Sequence, residues 1–461
     1  MSSWKQVRFS EICDITRGGS PRPIQEYMTN DGVPWIKISD ATASNSRFIE
    51  KTKEFIKTSG ISKSREVFPD DLILSNSATP GIPKFMRIYA CIHDGWLLLR
   101  NFNGAEKEFI YWLLLNERDK LIQQGNGSVF TNLKTDILKN HIVNIPDDIE
   151  EQKRIATILN NIQEKIELNT QINQTLEQIA QTIFKSWFID FDPVHAKAEA
   201  LANGQTAEQA TQAAMAVISG KNTQELHRLQ TANPEQYQQL WEIAEAFPSG
   251  FDEEGVPRGW EQTTLSEVCS MKNGYAFKSS DWTEEGIPVI KIGSVKPMIV
   301  EVDGNGFVDE EHSVLHSEFL LTEGDIVVGL TGYVGEVGRI PQGRTAMLNQ
   351  RVAKFIPNKL NEQQDYYSFV YCLVRDKSFK AFAETNAKGS AQANISTKEL
   401  LNYSIILASS EIQMKFESLI KPLLDKILVN SGNNENLSKV RDLLLPKLLR
   451  GELNGLPEKT I

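Results

Sequence analysis

One stretch near the start of the chain decides the fold, because it occurs twice. The first copy reads Trp4-Lys5-Gln6-Val7-Arg8-Phe9-Ser10-Glu11-Ile12-Cys13, and the second, at an offset of 256, reads Trp260-Glu261-Gln262-Thr263-Thr264-Leu265-Ser266-Glu267-Val268-Cys269. Residues 32–38 match 286–292 and 71–74 match 325–328 at an offset of 254, and 132–135 match 394–397 at 262. Such self-similarity indicates a tandem duplication of a unit of about 150 residues, with loop insertions that shift the offset.

A helix with a coiled-coil pattern follows each copy. From Asp148 to about Trp187 and again after Ser410, apolar residues recur at spacings of three and four, which is typical of a coiled-coil seam. Two such stripes in one chain can bury each other, so we predict an intramolecular antiparallel pair with Asn169 and Asn430 in equivalent seam slots. The predicted seam residues are Ile155, Ile162, Ile166, Leu176, Ile183, Phe416, Leu423, Ile427, Leu437 and Leu444, with Ile158, Ile172, Ile179, Leu419 and Val440 in further slots.

The ends of these helices and the parts between them define five segments. Asp148 with Glu151 and Ser410 with Gln413 are predicted N-terminal capping boxes. Short apolar runs bounded by Gly, Pro, Asn and Asp, together with one helical patch per copy, predict an α+β fold for each globular part. We therefore predict two tandem α/β domains separated by a long antiparallel coiled coil of two repeated helices, in a pseudo-twofold arrangement. The segments are domain 1–147, helix 148–192, an Ala/Gln-rich acidic helical connector 193–258, domain 259–408 and helix 409–461.

Composition is that of an ordinary globular protein. A length of 461 residues exceeds what one hydrophobic core usually supports, and 40% hydrophobic and 24% charged residues argue against disorder. The four cysteines form no C-x-x-C pair, so neither a zinc site nor a disulfide framework is predicted. With no apolar signal core and no run approaching about 18 apolar residues, we expect a soluble cytoplasmic chain without a membrane partner.

Several segments resemble one known family. Residues 150–159, 164–169 and 185–194 resemble the first central helix of the DNA-specificity subunits of type I restriction–modification systems. Residues 443–453 resemble the C-terminal helix of the same family. Together with the repeat, the resemblance extends over nearly the whole chain, whereas residues 195–257 are less typical.

The resemblance implies a function and a set of partners. Each domain would be a target-recognition domain that binds one half of a bipartite site in double-stranded DNA. The coiled coil would set the half-site spacing and dock two methyltransferase subunits, and restriction (motor) subunits would complete the complex. The subunit would be non-catalytic and would bind no cofactor, because S-adenosylmethionine, Mg and ATP would belong to the partner subunits.

The charge distribution fits dependence on such partners. The net charge of −11 is concentrated in residues 190–256, which carry 3 basic and 11 acidic side chains. The other segments leave room for local basic faces, but none is strongly basic. We therefore expect partner subunits to supply much of the non-specific affinity for phosphates.

Motifs for catalysis are missing from the sequence. It has no G-x-x-x-x-G-K-[ST] and no Asn/Asp-Pro-Pro-aromatic tetrapeptide, and residues 329–338 are glycine-rich without forming G-x-G-x-x-G. His312 and His316 could share a helix face, but no third metal ligand follows. No catalytic or metal residue is therefore predicted. Two alternatives stay open: a coiled-coil adaptor without DNA readout, and an enzyme with its own methyltransferase or nuclease.

Candidate DNA contacts are polar residues in loops, because bases are read by paired donors and acceptors. The candidates of the first copy are Arg17, Ser20, Arg22, Asn76, Ser77, Lys84, Gln124, Asn126, Asn132 and Lys134. Those of the second copy are Lys272, Asn273, Tyr275, Lys278, Thr331, Tyr333, Asn349, Gln350, Arg351, Lys388, Ser390 and Gln392.

Overall fold

The chain forms two compact units. The computed structural model describes residues 3–42, 46–124, 132–389 and 392–453. The first unit contains Met1–Leu168 and Glu435–Ile461, and the second contains Asn169–Asn434. Two helices of 40 residues, Ile149–Phe188 (the first long helix) and Ser410–Leu449 (the second long helix), each contribute to both units. No helix in these described ranges has the length and apolar character needed to cross a membrane.

The first unit is built on two five-stranded sheets. In spatial order, the first sheet contains Asp14–Arg17, Trp96–Arg100, Leu72–Ser75, Pro83–Met86 and Phe48–Ile49, with only the last pair parallel. The second sheet contains Met28–Thr29, Phe55–Ile56, Val33–Ile36, Ala90–Ile92 and Arg65–Val67, with only the pair Val33–Ile36 and Ala90–Ile92 parallel. Trp4–Arg8 pairs with Ile142–Pro146 in a separate antiparallel ribbon. The helices are Phe9–Ile12, Ile38–Thr42, Lys107–Gln124 and Thr135–Asn140, with 3₁₀ turns at Ile24–Glu26 and Thr58–Lys63.

The second unit repeats this topology. One sheet contains Cys269–Asn273, Val352–Pro357, Ile326–Gly329, Val337–Arg339 and Met298–Ile299, again with the last pair parallel. The other contains Trp282–Thr283, Phe307–Val308, Ile287–Ile290, Ala346–Leu348 and Leu320–Leu321, and Glu261–Thr264 pairs with Ser404–Leu407. The helices are Glu310–Leu315, Tyr367–Arg375, Lys377–Asn386 and Thr397–Leu401, with 3₁₀ turns at Leu265–Glu267, Ser279–Asp281, Ile292–Ser294 and Ser317–Phe319. The predicted duplication and the predicted α+β class are confirmed.

The apolar runs of the sequence are explained by sheets that are covered on both faces. In the strand Leu72–Ser75, Leu72 and Leu74 belong to the core under the helix Lys107–Gln124, whereas Ile73 belongs to the core between the sheets. Successive side chains of a strand point to opposite faces, so a strand buried on both faces is continuously apolar. The equivalent strand Ile326–Gly329 divides its side chains between two cores in the same way.

The long helices run antiparallel in both units, as predicted. In the first unit, Arg441 Nη1 donates a hydrogen bond to Gln163 Oε1 (2.6 Å). In the second unit, Asn430 pairs with Asn173 (2.9 Å) and the rings of Phe416 and Phe184 lie 6.1 Å apart. From the pair Asn173–Asn430 to the pair Phe184–Phe416, the residue number rises on one helix and falls on the other, which defines the antiparallel direction in the second unit. In the first unit, Ile155 shares a core with Leu448, so the numbers change in the same opposite senses from the pair Gln163–Arg441.

The buried stripe of these helices differs from the apolar pattern of the sequence. Ile155, Ile162, Phe416 and Ile427 are buried, whereas Ile166, Leu176, Ile183, Leu423, Leu437 and Leu444 are half-buried. The predicted slots Ile179 (42% exposed), Leu419 and Val440 are wrong, since their side chains are exposed. The buried residues in their neighbourhood are Glu177, Ala180, Phe184, Ile420 and Leu424. Around Ile179 and Leu419 the buried positions lie one residue further along each helix, because the interface there includes polar side chains such as Glu177, which an apolar pattern leaves out.

The predicted capping boxes are also only partly correct. The carboxylate of Asp148 accepts a hydrogen bond from the Glu150 backbone N–H (3.0 Å), so Asp148 does cap the first long helix. Glu151 pairs instead with Arg154 (2.7 Å). Ser410 is already the first residue of the second long helix, and the Gln413 N–H donates to the Ser409 carbonyl (3.1 Å). The second cap therefore lies one residue earlier than predicted.

The connector forms four helices within the second unit: Asp192–Ala202, Ala207–Ser219, Thr223–Ala232 and Pro234–Ala246. Lys197 fastens the first of these helices to the last. Its buried ammonium donates to the carbonyls of Ala244 (3.2 Å), Glu245 (3.1 Å) and Phe247 (2.6 Å). The positive charge thus satisfies acceptors at the C-terminal end of a helix, where backbone carbonyls lack intrahelical partners.

Candidate nucleic-acid interface

Both units hold their loops together with the same backbone hydrogen bonds. In the first unit, the Gly18 N–H donates to the Trp96 carbonyl (2.9 Å) and the Gly19 N–H to the Ile92 carbonyl (3.2 Å). In the second unit, the Gly274 N–H donates to Val352 (3.1 Å) and the Tyr275 N–H to Leu348 (2.8 Å). Every one of these positions is related to its counterpart by the offset of 256.

A second set of bonds adds two more segments. The Asn76 N–H donates to Gly95 (2.8 Å), and the Asn76 carbonyl accepts from the Leu133 N–H (2.8 Å). The equivalent bonds in the second unit are Leu330 N–H to Arg351 (3.0 Å) and Ile395 N–H to Leu330 (3.0 Å). Four segments therefore meet in each unit, and we call them the loop frame. It comprises residues 17–20, 76–79, 93–95 and 132–134 in the first unit, and 273–276, 330–333, 349–351 and 394–396 in the second.

Glycine is required where the first segment crosses the third. A Cβ atom on Gly18 would lie 2.0 Å from the carbonyl oxygen of His93, and one on Gly274 would lie 2.1 Å from that of Asn349. No side chain fits at such distances. The crossing is thus fixed by sequence, while the neighbouring side chains are free to differ between the units.

In the first unit, polar groups in the loop frame and next to it converge on Asp94, which the sequence did not single out. Ser20 Oγ donates to Asp94 Oδ1 (2.7 Å), and Arg17 Nη2 and Arg22 Nη2 lie 3.9 and 3.6 Å from Asp94 Oδ2. Arg17 Nε donates to the Asp94 carbonyl (2.9 Å), and Asn76 Nδ2 donates to the same oxygen (3.1 Å). The hydrogen bond from Ser20 and the positive charge of Arg17 hold the pKa of Asp94 below its ordinary value, against the effect of burial.

The neighbouring His93 supports the turn. Its Nδ1 accepts a hydrogen bond from the Gly95 N–H (2.8 Å), and its ring lies 6.0 Å from that of Trp35. Burial lowers the pKa of His93 below its ordinary value, although Asp94 acts in the opposite direction. The imidazole is therefore neutral at pH 7 and contributes an acceptor rather than a charge.

In the second unit, the same frame carries mainly neutral groups. Gln350 and Arg351 are exposed, and Asn349 Oδ1 accepts from the Gln350 N–H (2.8 Å). Thr331 is buried, and its Oγ1 donates to Asn394 Oδ1 (2.7 Å). The exposed phenol ring of Tyr333 follows Thr331 in the same loop.

The remaining predicted residues of the second unit lie in the frame or close to it. The ring of Tyr275 stacks on His316 at 4.2 Å, and Asn273 Nδ2 donates to Thr397 Oγ1 (3.4 Å). Lys272 pairs with Glu318 (3.5 Å), and Lys388 pairs with Glu399 (2.6 Å). Lys278 and Gln392 are exposed, whereas Ser390 lies outside the described residues.

Three predicted DNA contacts of the first unit do not occupy exposed positions of the loop frame, and a fourth lies outside the described residues. The side chain of Lys84 is only 4% exposed, and its ammonium donates to the Ser46 carbonyl, so this lysine lies in the interior. Burial lowers the pKa of Lys84 to about 8. Asn76 is buried and holds Asp94, and Gln124 contacts His141 Nδ1 (3.2 Å) at the end of a helix. Ser77 is half-buried, Asn132 and Lys134 are exposed in the frame, and Asn126 lies outside the described residues.

Sequence reasoning missed Asp94 for an identifiable reason. The turn 93–95 sits between two apolar strands and looks like an ordinary hairpin. Its counterpart 349–351, which the sequence did single out, lies at an offset of 256, whereas the motif at residues 71–74 matches 325–328 at 254. Only the backbone hydrogen bonds bring the two turns into correspondence. Across the described ranges, no cluster of three or more His, Cys, Asp or Glu side chains could hold a metal ion.

These observations define a class of protein: a duplicated recognition protein in which two equivalent loop frames carry different polar side chains. A family model described as "Type I restriction modification DNA specificity domain" matches residues 1–178 and 257–439. The chain belongs to this family of type I restriction–modification specificity subunits, so its role is DNA recognition. The resemblance inferred from the sequence is thereby confirmed, and residues 179–256 lie outside the matched regions.

Relatives match over nearly the full length. The chain is 31% identical to the type I restriction enzyme HindI specificity subunit of Haemophilus influenzae, covering 98% of this chain and 100% of the relative. It is 26% identical to the MjaIX specificity subunit of Methanocaldococcus jannaschii, covering 98% and 93%. A crystal structure of a type I restriction–modification system S subunit from M. genitalium has the same fold, with 16% identity, a TM-score of 0.52 and coverage of 97% and 96%.

Proposed function

We propose that the chain reads a bipartite DNA sequence, with one half-site bound by the loop frame of each unit. The observation that carries the proposal is the pairing of identical backbone bonds with different side chains. A shared backbone would place both frames against DNA in the same way, while different donors and acceptors would select different bases. Arg17, Arg22, Gln350 and Arg351 are exposed and of the types that contact base edges.

We further propose that the chain is the non-catalytic part of a larger enzyme. Its partners would be two methyltransferase subunits docked on the long helices and restriction (motor) subunits that join for cleavage. S-adenosylmethionine, Mg and ATP would be bound by these partners. The exposed apolar side chains of Leu168, Ile179 and Leu419 on the long helices support docking of partner proteins there.

Methylation mapping tests the readout. Genomic DNA from cells with and without the gene is compared, and the triple variant Asn349→Ala, Gln350→Ala, Arg351→Ala is mapped in parallel. The triple variant should lose sequence specificity at one half-site and keep it at the other, since each lost bidentate contact weakens discrimination between bases by about 1–3 kcal/mol. A matched control changes Lys359, an exposed lysine outside the frame, to Ala. Methylation that is independent of this chain would favour the coiled-coil adaptor, and equal loss in both half-sites would contradict independent reading.

We also propose that the long helices set the distance between the half-sites. Forty residues at a rise of 1.5 Å make a rod of about 60 Å. Seven residues inserted after Asn173 and seven before Asn430 keep the seam in phase, because these two residues pair across the interface. The insertion adds about 10 Å, or about three base pairs at ~3.4 Å each. The mapped site should keep both half-sites and gain a longer spacer; an unchanged spacer in an active variant would show that the helices do not set it.

A further inference from the structure

We propose that the first unit recognises a guanine through Arg17 and Arg22, and that Asp94 is the positioning residue that orients both arginines. The inference rests on the proposed reading of one half-site by this unit and assigns a base to it. It depends on the geometry around Asp94, which the sequence alone did not show.

The arrangement leaves the reading edge of Arg17 open. Its Nε is used by the Asp94 carbonyl (2.9 Å), which fixes the plane of the guanidinium. Within the described ranges, Nη1 and Nη2 of Arg17 make no hydrogen bond to the protein, and the side chain is 59% exposed. The side chain of Arg22 is 82% exposed, and its Nη2 lies 3.6 Å from Asp94 Oδ2. Two guanidinium groups are therefore exposed to solvent beside Asp94, one fixed by its backbone carbonyl and one close to its carboxylate.

Guanine is the base that matches such a fork. In the major groove it offers two adjacent acceptors, O6 and N7, whereas adenine offers one acceptor beside an N6 amino donor. A guanidinium can donate to both guanine atoms at once, but it meets a donor on adenine. The paired cytosine presents an N4 amino group that can donate a hydrogen bond to the Asp94 carboxylate. The same carboxylate repels a phosphate, so Arg17, Arg22 and Asp94 together match the edge of a G·C pair better than the DNA backbone.

The second unit indicates that this set is not needed for folding. At the positions equivalent to Arg17, Ser20, Arg22 and Asp94 it has Asn273, Ala276, Lys278 and Gln350. The backbone bonds of its loop frame are nevertheless formed. The charged set is therefore specific to the first unit, as expected for residues that select a base rather than hold the frame.

The test is a chemical double-mutant cycle on the full-length chain, assembled with its methyltransferase partners, and its mapped DNA target. Each guanine of the half-site that Arg17→Ala relaxes is replaced in turn by 7-deazaguanine, which lacks the N7 acceptor, and dissociation constants are measured by fluorescence anisotropy. One replacement should weaken wild-type binding about three- to tenfold, because it removes half of a bidentate contact. Arg17→Ala should bind both duplexes within about twofold of each other. The Lys359→Ala variant, changed at an exposed lysine outside both loop frames, should keep the wild-type sensitivity.

The role of Asp94 is tested by Asp94→Asn. This change preserves shape and leaves the Arg17 contact to the backbone carbonyl. It should reduce the preference for guanine over adenine at the identified position several-fold, while the thermal unfolding midpoint stays at the wild-type value. A wild-type preference in this variant would overturn the positioning role.

Other outcomes overturn the base assignment. If Arg17→Ala weakens all duplexes equally and no 7-deazaguanine has an effect, the arginines contact phosphates and the inference is wrong while the proposed function stands. If the mapped half-site has no guanine on either strand, the inference is likewise wrong while the proposed function stands. Absence of any sequence-specific binding by the wild-type chain in its methyltransferase complex would instead refute the proposed function together with the inference.

Discussion

The buried asparagine pair Asn173 and Asn430 should be the most strongly coupled contact between the long helices of the second unit. The side chains are only 5% and 3% exposed. Asn430 Nδ2 donates to Asn173 Oδ1 (2.9 Å), and Asn173 Nδ2 lies within hydrogen-bonding distance of the Ile427 carbonyl (3.3 Å) and Ser431 Oγ (3.2 Å). Such a polar layer fixes the register of a coiled coil, at a cost in stability relative to apolar residues.

The expected loss in the free energy of unfolding follows from the hydrogen bonds that each variant leaves unmade. Asn173→Ala leaves the buried Asn430 amide without its partner, and a buried unsatisfied group costs about 1–3 kcal/mol. Asn430→Ala leaves Asn173 Oδ1 unpaired at a similar cost. The double alanine variant removes both groups, so its loss should be smaller than the sum by about 1–2 kcal/mol. The double leucine variant should match or exceed the wild-type stability, because both partners become apolar.

Urea unfolding followed by far-UV circular dichroism gives the free energies of unfolding for this cycle. Gln174→Ala on the exposed side of the same helix is the matched control and should stay within about 0.5 kcal/mol of wild type. The leucine variant should in addition relax the spacer length in methylation maps, since nothing polar then opposes a shift of the helices. Additive single losses below about 0.5 kcal/mol would refute the assignment of register to this pair.

Three further predictions concern stability and reactivity. Burial raises the pKa of Glu117, but hydrogen bonds from His141 and Lys120 outweigh it and lower this pKa from 4.5 to about 2. Because the pKa of Glu117 is lower in the folded state, its stabilisation is present above pH 4.5 and is lost as the pH falls toward 2. The free energy of unfolding of Glu117→Gln, measured in urea titrations, should therefore depend less on pH between 4.5 and 2 than that of the wild type. Lys197→Met should destabilise the connector by about 2–4 kcal/mol, because three carbonyls lose their donor. Amide exchange in the helix Pro234–Ala246 should become faster, and unchanged exchange would contradict this prediction. The folded chain should not react with a thiol reagent until it is denatured, because burial raises the pKa of each thiol: Cys13, Cys91, Cys269 and Cys372.

The sequence by itself determined the architecture. Repeated motifs at offsets near 256 predict two equivalent domains, and apolar spacings of three and four predict two long helices. These signals depend only on order along the chain and on the periods of strand and helix, so they survive without three-dimensional information. The candidate loops were found in the same way, since glycine and polar residues between apolar runs indicate turns.

The tertiary structure decided which side chains meet. Between Asn173 and Phe184 the helix seam shifts by one residue, because Asn173 and Glu177 are buried through partners far away in sequence. One of these partners is Tyr371, whose hydroxyl donates to Glu177 (2.9 Å). Asp94 becomes the centre of the first loop frame because Arg17 and Ser20 reach it across 77 and 74 residues of chain. Burial of a polar group is favourable only with a partner, and partners distant in sequence are known only once the chain has folded.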